Sequence, residues 1–282
     1  MKESKKSVIP PANRYHGLKN QGATCYLNSV LQVLFMTKEF REAVKREQPE
    51  TENIDLHLTN LFDNLTKCTA QTCQITENLG ISRVHEQRDA AEYFEKILSH
   101  TSPEASQIFQ GQLTHKNICS KCHTETDTDG PFWSLPLALK DSYSENYRVV
   151  DGFKEFFKAS DVSGDNQMYC DECDHKADAT MKCVMKHHPE VLVLLLKRFE
   201  FDYRYMEYVK ISRCVDVPCT LKIPENETYE LYGFVDHFGN MRGGHYTATI
   251  KCQDDKSWYN FNDTMVTRLP DNQSFQMDNT MK

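Results

Sequence analysis

The sequence predicts an α+β protein, because helical patterns occupy the chain to about residue 105 and strand patterns follow. Its 282 residues are 39% hydrophobic and 26% charged, which is typical of a globular protein that can bury a substantial core. We expect a short flexible tail over residues 1–13 and a single domain over residues 14–282.

Three segments near the start of the chain place apolar residues at helical spacing. They cover about residues 24–44, 54–67 and 88–99. In the first segment, Leu27, Leu31 and Leu34 share a face and Cys25 lies in the first turn, so we expect a half-buried helix that begins at a thiol. Asn20 and two glycines precede this helix and permit a tight loop with exposed backbone.

After about residue 109 the chain changes to strand patterns separated by turns. The strand segments are GQLTHKNICS, FWSLPLAL, VLVLLLKRFEFD, YELYGFVDHF, HYTATIKC and SWYNFND. The run from Val191 to Leu196 is apolar on both faces, so we expect a central strand of a buried sheet there. Arg198 and Phe199 are expected to pack in this region, and Gly239 to Gly244 is expected to be a flexible loop.

Charge and composition argue against two classes of function. The formal net charge is -8, and no run of basic residues stands out beyond the short stretch from Lys2 to Lys6. We therefore expect no nucleic-acid partner. No secretory leader or membrane span is apparent, so we expect a cytoplasmic or nuclear protein without a membrane partner. Eleven cysteines in such a compartment indicate metal binding and a reactive thiol more than disulfides.

Cys25 is the candidate nucleophile. The positive end of a helix dipole stabilises the thiolate of a cysteine in the first turn. The side-chain amide of Asn20 and the backbone N–H of Cys25 could donate to the oxyanion of a tetrahedral intermediate, and losing such a donor costs about 3 to 4 kcal/mol. Position alone leaves open that Cys25 is a small buried residue and that Asn20 only holds a turn.

His245 is the candidate base among eleven histidines, because it follows two glycines and opens the strand HYTATI. His237 is its main rival. Asn262 could orient the imidazole, with Asp263 as a helper, although an Asn-Asp pair alone also indicates a turn after a strand. An orienting carbonyl is enough if the thiolate and imidazolium already form an ion pair.

These segments resemble the conserved boxes of ubiquitin-specific proteases. GLKNQGATCYLNSVLQ is similar to the Cys box of that family, YELYGFVDHFGNMRGGHYTATI to its His box and WYNFND to its last box. The resemblance assigns Cys25 as nucleophile, His245 as base, Asn262 as the group that orients the base and Asn20 as an oxyanion donor. It also implies that His237 is a structural loop histidine.

The same resemblance implies a papain-like cysteine protease fold. The thumb would cover about residues 14–105, with the palm and the zinc-bearing fingers over about 106–282. The implied activity is that of a monomeric, thiol-dependent deubiquitinase, which hydrolyses the (iso)peptide bond after the C-terminal glycine of ubiquitin in ubiquitinated proteins. Two alternatives remain open: a protease for an interferon-induced ubiquitin-like modifier with the same tail, and an inactive ubiquitin-binding adaptor.

The segment EQRDAAEYF resembles the acidic box that lines the cleft for the ubiquitin tail in this family. The resemblance assigns Gln87 and Asp89 to substrate binding, with the acid pairing a tail arginine. It also makes Tyr246 a wall of the narrow tunnel for the Gly-Gly end. From the residues alone, Asp89 followed by Glu92 indicates a helix N-cap, and the two roles are compatible.

Two CxxC pairs have the ligand spacing of zinc knuckles. They are Cys119 with Cys122 and Cys170 with Cys173. Four thiolates leave zinc no open position, so the metal should be structural and should join strands that are distant in sequence. A redox role is the alternative, but neither pair lies in a βαβ context. In the resembled family such a site rigidifies the tip of the fingers.

Overall fold

The computed structural model describes residues 15–46, 53–139, 146–223, 227–240, 243–270 and 276–277. The tail expected over residues 1–13 therefore lies outside the described residues.

Helices come first along the described part of the chain, as the sequence predicts. They are α1 (Cys25–Met36), α2 (Lys38–Arg46), α3 (Asp55–Leu65), α4 (Cys73–Asn78), α5 (Ala90–His100), α6 (Pro103–Ser106) and, after the first strands, α7 (Val149–Phe156). Short 3₁₀ turns cover Gln107–Phe109 and Gly164–Asn166. No described helix combines the length and apolar character that crossing a bilayer requires.

Short strands make up most of the chain after residue 110. They are β1 (Gly111–Cys119), β2 (Glu125–Phe132), β3 (Leu135–Ala138), β4 (Asn146–Arg148), β5 (Ser160–Val162), β6 (Met168–Cys170), β7 (His175–Ala177), β8 (Ala179–His187), β9 (Leu194–Lys197), β10 (Phe199–Asp202), β11 (Glu207–Lys210), β12 (Cys214–Asp216), β13 (Thr220–Lys222), β14 (Thr228–Glu230), β15 (Gly233–Gly239), β16 (Gly244–Lys251), β17 (Trp258–Asn262), β18 (Met265–Arg268) and β19 (Gln276–Met277). This content confirms the predicted α+β class.

Two four-stranded sheets organise these strands. The first is antiparallel, in the order β15-β16-β17-β18, and packs on α1. The second is also antiparallel, in the order β2-β1-β8-β5, and β1 runs nine residues along it. The remaining strands form small sheets: β19-β12-β4, β3-β9, β10-β11, β13-β14 and β6-β7.

The segment predicted as one half-buried helix over residues 24–44 is two helices, and the first is buried on almost all sides. Helix α1 ends at Met36, where the Thr37 hydroxyl donates to the carbonyl of Val33 (2.9 Å) and lies 2.8 Å from the hydroxyl of Tyr232. Eleven of the twelve α1 residues are buried, because α2, α5 and the sheet that contains β16 all pack on it. The spacing of leucines identified one apolar face but not the additional neighbours.

The prediction of a central strand over residues 191–196 is wrong. The strand β9 covers only Leu194–Lys197, pairs only with β3 among the described strands, and its leucines are half-buried. A cavity of about 1040 Å³ lies along it, between α1 and α5 on one side and β15 on the other. An apolar run therefore lines a cavity here, because periodicity cannot distinguish a cavity wall from a sheet interior.

The main core joins the early helices to the β15–β18 sheet. Within it Phe40 meets Phe62 and Phe109 edge-on, with ring centroids 6.4 and 5.7 Å apart. Fully burying one such ring contributes about 1.5 to 3 kcal/mol. This packing makes α1 a fixed support for the residue at its first position, Cys25.

Candidate active site

Cys25 is the first residue of α1, and only 1% of its surface is exposed. Burial raises the pKa of its thiol, and the negative charge of Asp263 acts in the same direction. The backbone N–H groups of Tyr246 and Tyr26 bond to the sulfur and oppose this shift. Because burial is the largest effect, the substrate-free site favours a neutral thiol.

Gln87 spans the gap between α1 and β16. Its Nε2 donates to the carbonyl oxygen of Gly244 at 2.9 Å, and its Oε1 lies 3.9 Å from the sulfur of Cys25. This carboxamide therefore accepts from the thiol S–H while holding the strand that carries the candidate base. Gln87 was predicted to bind the substrate tail, and the structure locates it directly beside Cys25, the candidate nucleophile.

The loop before α1 is organised by the side chain of Asn20. Its Oδ1 accepts from the backbone N–H of Gly22 (2.8 Å) and of Thr24 (3.0 Å). Its Nδ2 donates to Oδ2 of Asp263 at 3.0 Å. One amide proton of Asn20 is thereby committed, and the second remains available for an oxyanion next to Cys25.

Asp263 also holds the other end of this loop. Its Oδ1 accepts from Nδ2 of the buried Asn28 at 2.8 Å, and its carbonyl oxygen accepts from the N–H of Leu18 at 2.8 Å. A Cβ on Gly17 would lie 2.2 Å from that carbonyl oxygen, so only glycine allows the close approach. Asp263 therefore supports the loop of Asn20, whereas the sequence suggested it as a helper of the base.

His245 is the second residue of β16, next to the end of β17. Its Nε2 lies 2.7 Å from Oδ1 of Asn262. Because that oxygen only accepts, Nε2 carries the proton and Nδ1 is left as the basic nitrogen. The structure thus brings Asn262 to the position that orients an imidazole.

His237 lies in the strand β15 and not in a loop, which corrects the expected placement. Its ring is half-buried between the rings of Tyr246 and Phe199, with centroids 4.5 and 5.4 Å away. Burial and nearby positive charges lower its pKa to about 4. A Cβ on Gly244 would lie 2.0 Å from its Nε2, so the glycine before His245 is required by this packed ring.

Asp89 is the N-cap of α5, as the sequence indicated. Its Oδ1 accepts from the N–H groups of Ala91 (2.8 Å) and Glu92 (3.2 Å). Asp89 and Tyr246 both line the 1040 Å³ cavity. Tyr246 is 7% exposed, and its hydroxyl accepts from the N–H of Ala90, so β16 is tied to the start of α5 beside the cavity.

The four cysteines of the CxxC pairs meet at one end of the second sheet. All four sulfur atoms lie within 4.8 Å of one another, with 3.9 Å between Cys119 and Cys173 and 3.5 Å between Cys122 and Cys170. Thiolates about 2.3 Å from a tetrahedral zinc are about 3.8 Å apart, so the cluster fits this metal. The Thr124 hydroxyl lowers the pKa of Cys122 to about 6.

The two knuckles have the same backbone turn. His123 and Asp174, each directly after the second cysteine of a pair, have positive φ values of 60° and 54°. One knuckle connects β1 to β2 and the other connects β6 to β7, so a metal here joins two separate hairpins.

Arg198, which was expected to pack, is buried, and its guanidinium donates to the carbonyl oxygens of Ile211 (3.1 Å) and Arg213 (2.9 Å).

Sequence reasoning missed the contacts that Asn28 and Asp263 make. Asn28 lies one turn after Cys25, inside the segment that resembled the Cys box, and this position was the available signal. Its partner is 235 residues away, so no local pattern indicates the bond.

Comparisons with known proteins agree with this geometry. Residues 16–280 match the model of the family described as ubiquitin carboxyl-terminal hydrolase. One solved structure, that of the SAGA Ubp8/Sgf11/Sus1/Sgf73 DUB module bound to ubiquitin aldehyde, superposes with a TM-score of 0.78. It is 24% identical, and the alignment covers 96% of this chain and 70% of that chain, which shows a shared fold.

Curated relatives are similar over most of this chain. Ubiquitin carboxyl-terminal hydrolase 47 of Drosophila melanogaster is 27% identical, with 95% of this chain and 23% of the relative aligned. Ubiquitin carboxyl-terminal hydrolase 15 of Schizosaccharomyces pombe is 31% identical, with 90% and 24% aligned. The human ubiquitin carboxyl-terminal hydrolase 47 is 28% identical, with 90% and 25% aligned. The chain spans about a quarter of the length of these relatives.

Proposed function

Because this chain belongs to the ubiquitin carboxyl-terminal hydrolase family, we propose that it is a cysteine-type deubiquitinase. It hydrolyses the (iso)peptide bond after the C-terminal glycine of ubiquitin in protein conjugates. The observation that carries the proposal is that β16 places His245, bonded to Asn262, directly before Tyr246, whose backbone N–H bonds to the sulfur of Cys25. The shared fold with a DUB module that holds ubiquitin aldehyde supports ubiquitin as the substrate.

Acylation begins when the sulfur of Cys25 attacks the carbonyl carbon of the terminal glycine. The thiol proton passes to Nδ1 of His245, whose Nε2–H stays bonded to Asn262. A C–S bond forms and the carbonyl electrons move to oxygen, where the free amide proton of Asn20 and the N–H of Cys25 donate.

The intermediate then collapses with cleavage of the C–N bond. His245 gives its proton to the leaving lysine amine, which leaves the ubiquitin tail as a thioester on Cys25. His245 next removes a proton from water, which attacks the thioester carbon and displaces the thiolate. Free ubiquitin departs and the thiol regains its proton, so the cycle needs no external oxidant or reductant.

The substrate tail is assigned to the cavity that runs past Asp89 and Tyr246. One oxygen of Asp89 caps α5. Because Asp89 also lines the cavity, its negative charge would attract a basic residue of the tail. Tyr246 is held between His237 and the N–H of Ala90, so it forms a rigid wall close to the nucleophile. A rigid wall at this point favours glycine over residues with side chains.

The four-cysteine cluster would hold a structural zinc ion. Cys119, Cys122, Cys170 and Cys173 would be its ligands, and a zinc with four thiolates provides crosslinking and no catalysis. A cytoplasmic or nuclear location belongs to the same proposal, because both the nucleophile and these ligands need a reducing environment.

The test is hydrolysis of a fluorogenic ubiquitin C-terminal amide by the purified chain and by Cys25→Ala. Cys68→Ala, an exposed cysteine after α3, is the matched control. We expect turnover that Cys25→Ala abolishes and Cys68→Ala retains. The amide of an interferon-induced ubiquitin-like modifier is assayed in parallel, and faster cleavage of it would identify that modifier as the substrate. If the chain binds ubiquitin but cleaves neither amide, it is a ubiquitin-binding adaptor and not an enzyme.

A further inference from the structure

Lys210, the last residue of β11, lies against the edge of the strand that pairs with the catalytic strand. Its Nζ donates to the carbonyl oxygen of His237 at 2.7 Å and to that of Gly239 at 3.0 Å. Both carbonyls belong to β15, which is an edge strand in the sheet order β15-β16-β17-β18. A single ammonium thereby donates to two carbonyls on the edge of β15 that faces away from β16, its partner among the described strands.

The two carbonyls flank the residue that pairs with the base. In the β15–β16 register Phe238 lies opposite His245, and His237 and Gly239 are on either side of Phe238. Holding these two carbonyls therefore holds the section of β15 to which His245 is paired. Gly239 ends β15 with a positive φ of 87°, so one of the two carbonyls belongs to the residue at which the extended backbone of the strand stops.

Lys210 is itself well supported. It pairs with Phe199 across the β10–β11 hairpin, and Arg198 bonds to the carbonyl of Ile211 immediately after it. Burial and the charge of Arg198 lower the pKa of Lys210, whereas the charge of Asp236 on β15 opposes this. In such a partly buried setting a bond from an ammonium to a carbonyl is stronger than the same bond in water.

The position of β16 in turn determines two contacts with the nucleophile side. The carbonyl of Gly244 accepts from Gln87, and the N–H of Tyr246 bonds to the sulfur of Cys25. These residues immediately precede and follow His245. A shift of the β15–β16 pair would therefore displace the base and loosen both contacts together.

We propose that Lys210 is a positioning residue that fixes β15 and thereby holds His245 in place for proton transfer with Cys25. It touches neither substrate nor reacting atoms. The predicted effect on turnover depends on the proposed deubiquitinase function, whereas the effect on thiol reactivity does not.

The test compares Lys210→Met, which keeps the length of the side chain without its donors, with Lys210→Arg, which keeps a cation and donors. Lys222→Met is the control, because Lys222 is an exposed lysine at the end of the strand β13. Each variant is assayed for kcat and KM on the ubiquitin amide, for Tm, and for the rate of iodoacetamide alkylation of the Cys25 peptide between pH 5 and pH 9, read by mass spectrometry.

For Lys210→Met we expect kcat to fall about tenfold, less than the roughly hundredfold cost of a 1 Å misplacement, with KM changed less than about threefold. Alkylation of Cys25 should shift to higher pH, because a displaced β16 withdraws both the imidazole and the N–H of Tyr246, which lowers the pKa of the thiol. Lys210→Arg should recover most of both losses, and Lys222→Met should match the wild type.

Two results overturn the proposal. One is that Lys210→Met behaves as Lys222→Met does. The other is that it lowers Tm and kcat while the alkylation profile stays that of the wild type, which assigns Lys210 a purely stabilising role. If the wild type does not cleave ubiquitin at all, the proposed function fails, and the alkylation profiles still decide whether Lys210 positions His245.

Discussion

At the scale of single residues, Asp263 acts in opposite ways on the proposed nucleophile, Cys25, and on the proposed oxyanion donor, Asn20. Its negative charge raises the pKa of Cys25 and so disfavours the thiolate. Its two carboxylate oxygens also accept from the amides of Asn20 and Asn28, which orders the loop proposed to stabilise the intermediate. The site therefore combines a less acidic thiol with a more ordered oxyanion loop.

Asp263→Asn should separate these two effects. Loss of the charge should lower the pKa of Cys25, so alkylation by iodoacetamide at pH 7 should become faster. An asparagine has one carbonyl acceptor and cannot hold both amides, so kcat should fall by about 10- to 100-fold, short of the roughly 100- to 1000-fold cost of losing an oxyanion donor. Asp165→Asn, in an exposed 3₁₀ turn, is the control. Alkylation and kcat moving in the same direction would contradict this account.

At the scale of elements, the start of α5 combines a structural role and a proposed binding role in one side chain, that of Asp89. Asp89 accepts from two N–H groups at the helix terminus, where the helix dipole also favours its charge. The same residue lines the cavity assigned to the basic ubiquitin tail. A cap needs an acceptor atom and a salt bridge needs a charge, so the two roles can be tested independently.

Asp89→Asn keeps the acceptor and removes the charge, whereas Asp89→Ala removes both. We expect Asp89→Asn to raise KM for ubiquitin about fivefold, equivalent to ~1 kcal/mol, with little change in Tm. Asp89→Ala should also lower Tm by about 2 to 4 °C, because a lost N-cap costs ~1 kcal/mol. With a ubiquitin whose tail arginine is replaced, Asp89→Asn and the wild type should have the same KM. If the KM values still differ about fivefold on that substrate, there is no salt bridge between Asp89 and the tail arginine.

At the scale of the whole molecule, β1 separates the cysteine cluster from the core that holds Cys25, because Phe109, two residues before β1, belongs to that core. The nine-residue strand β1 begins at Gly111, which packs on Phe132, and ends at Cys119 in the cluster. At about 3.3 Å per residue, β1 spans roughly 26 Å between these ends. Metal binding should therefore act on the shape of this sheet and not on the chemistry at Cys25.

We expect the purified chain to contain zinc, measured by atomic emission, and Cys173→Ser to lose it. The variant should have a lower Tm and a higher KM for ubiquitin, because the hairpins of β1–β2 and β6–β7 are no longer joined. Alkylation of Cys25 should match the wild type. Cys219→Ser, an exposed cysteine outside the cluster, should retain zinc. A purified wild type that contains no metal and has the same Tm as Cys173→Ser would argue against a zinc site.

The features predictable from the sequence are those that neighbouring residues encode. A cysteine at a helix start, a capping aspartate before α5 and two knuckles with a shared spacing all depend on contacts within a few positions. The order of helices and strands follows from local periodicity for the same reason. Each of these predictions was available because the backbone geometry of a short segment depends mainly on that segment.

Tertiary structure decided which distant groups share an environment. The bond between Asn20 and Asp263 spans 243 positions, and the hydrogen bond from Lys210 to the carbonyl of His237 joins a hairpin to a strand 27 positions later. The burial of α1 on nearly all sides and the cavity along β9 likewise depend on which elements pack together. The sequence by itself determined the local geometry of the candidate reactive groups. Only the folded chain determined their burial, their charges and their partners, because these depend on contacts that no local pattern specifies.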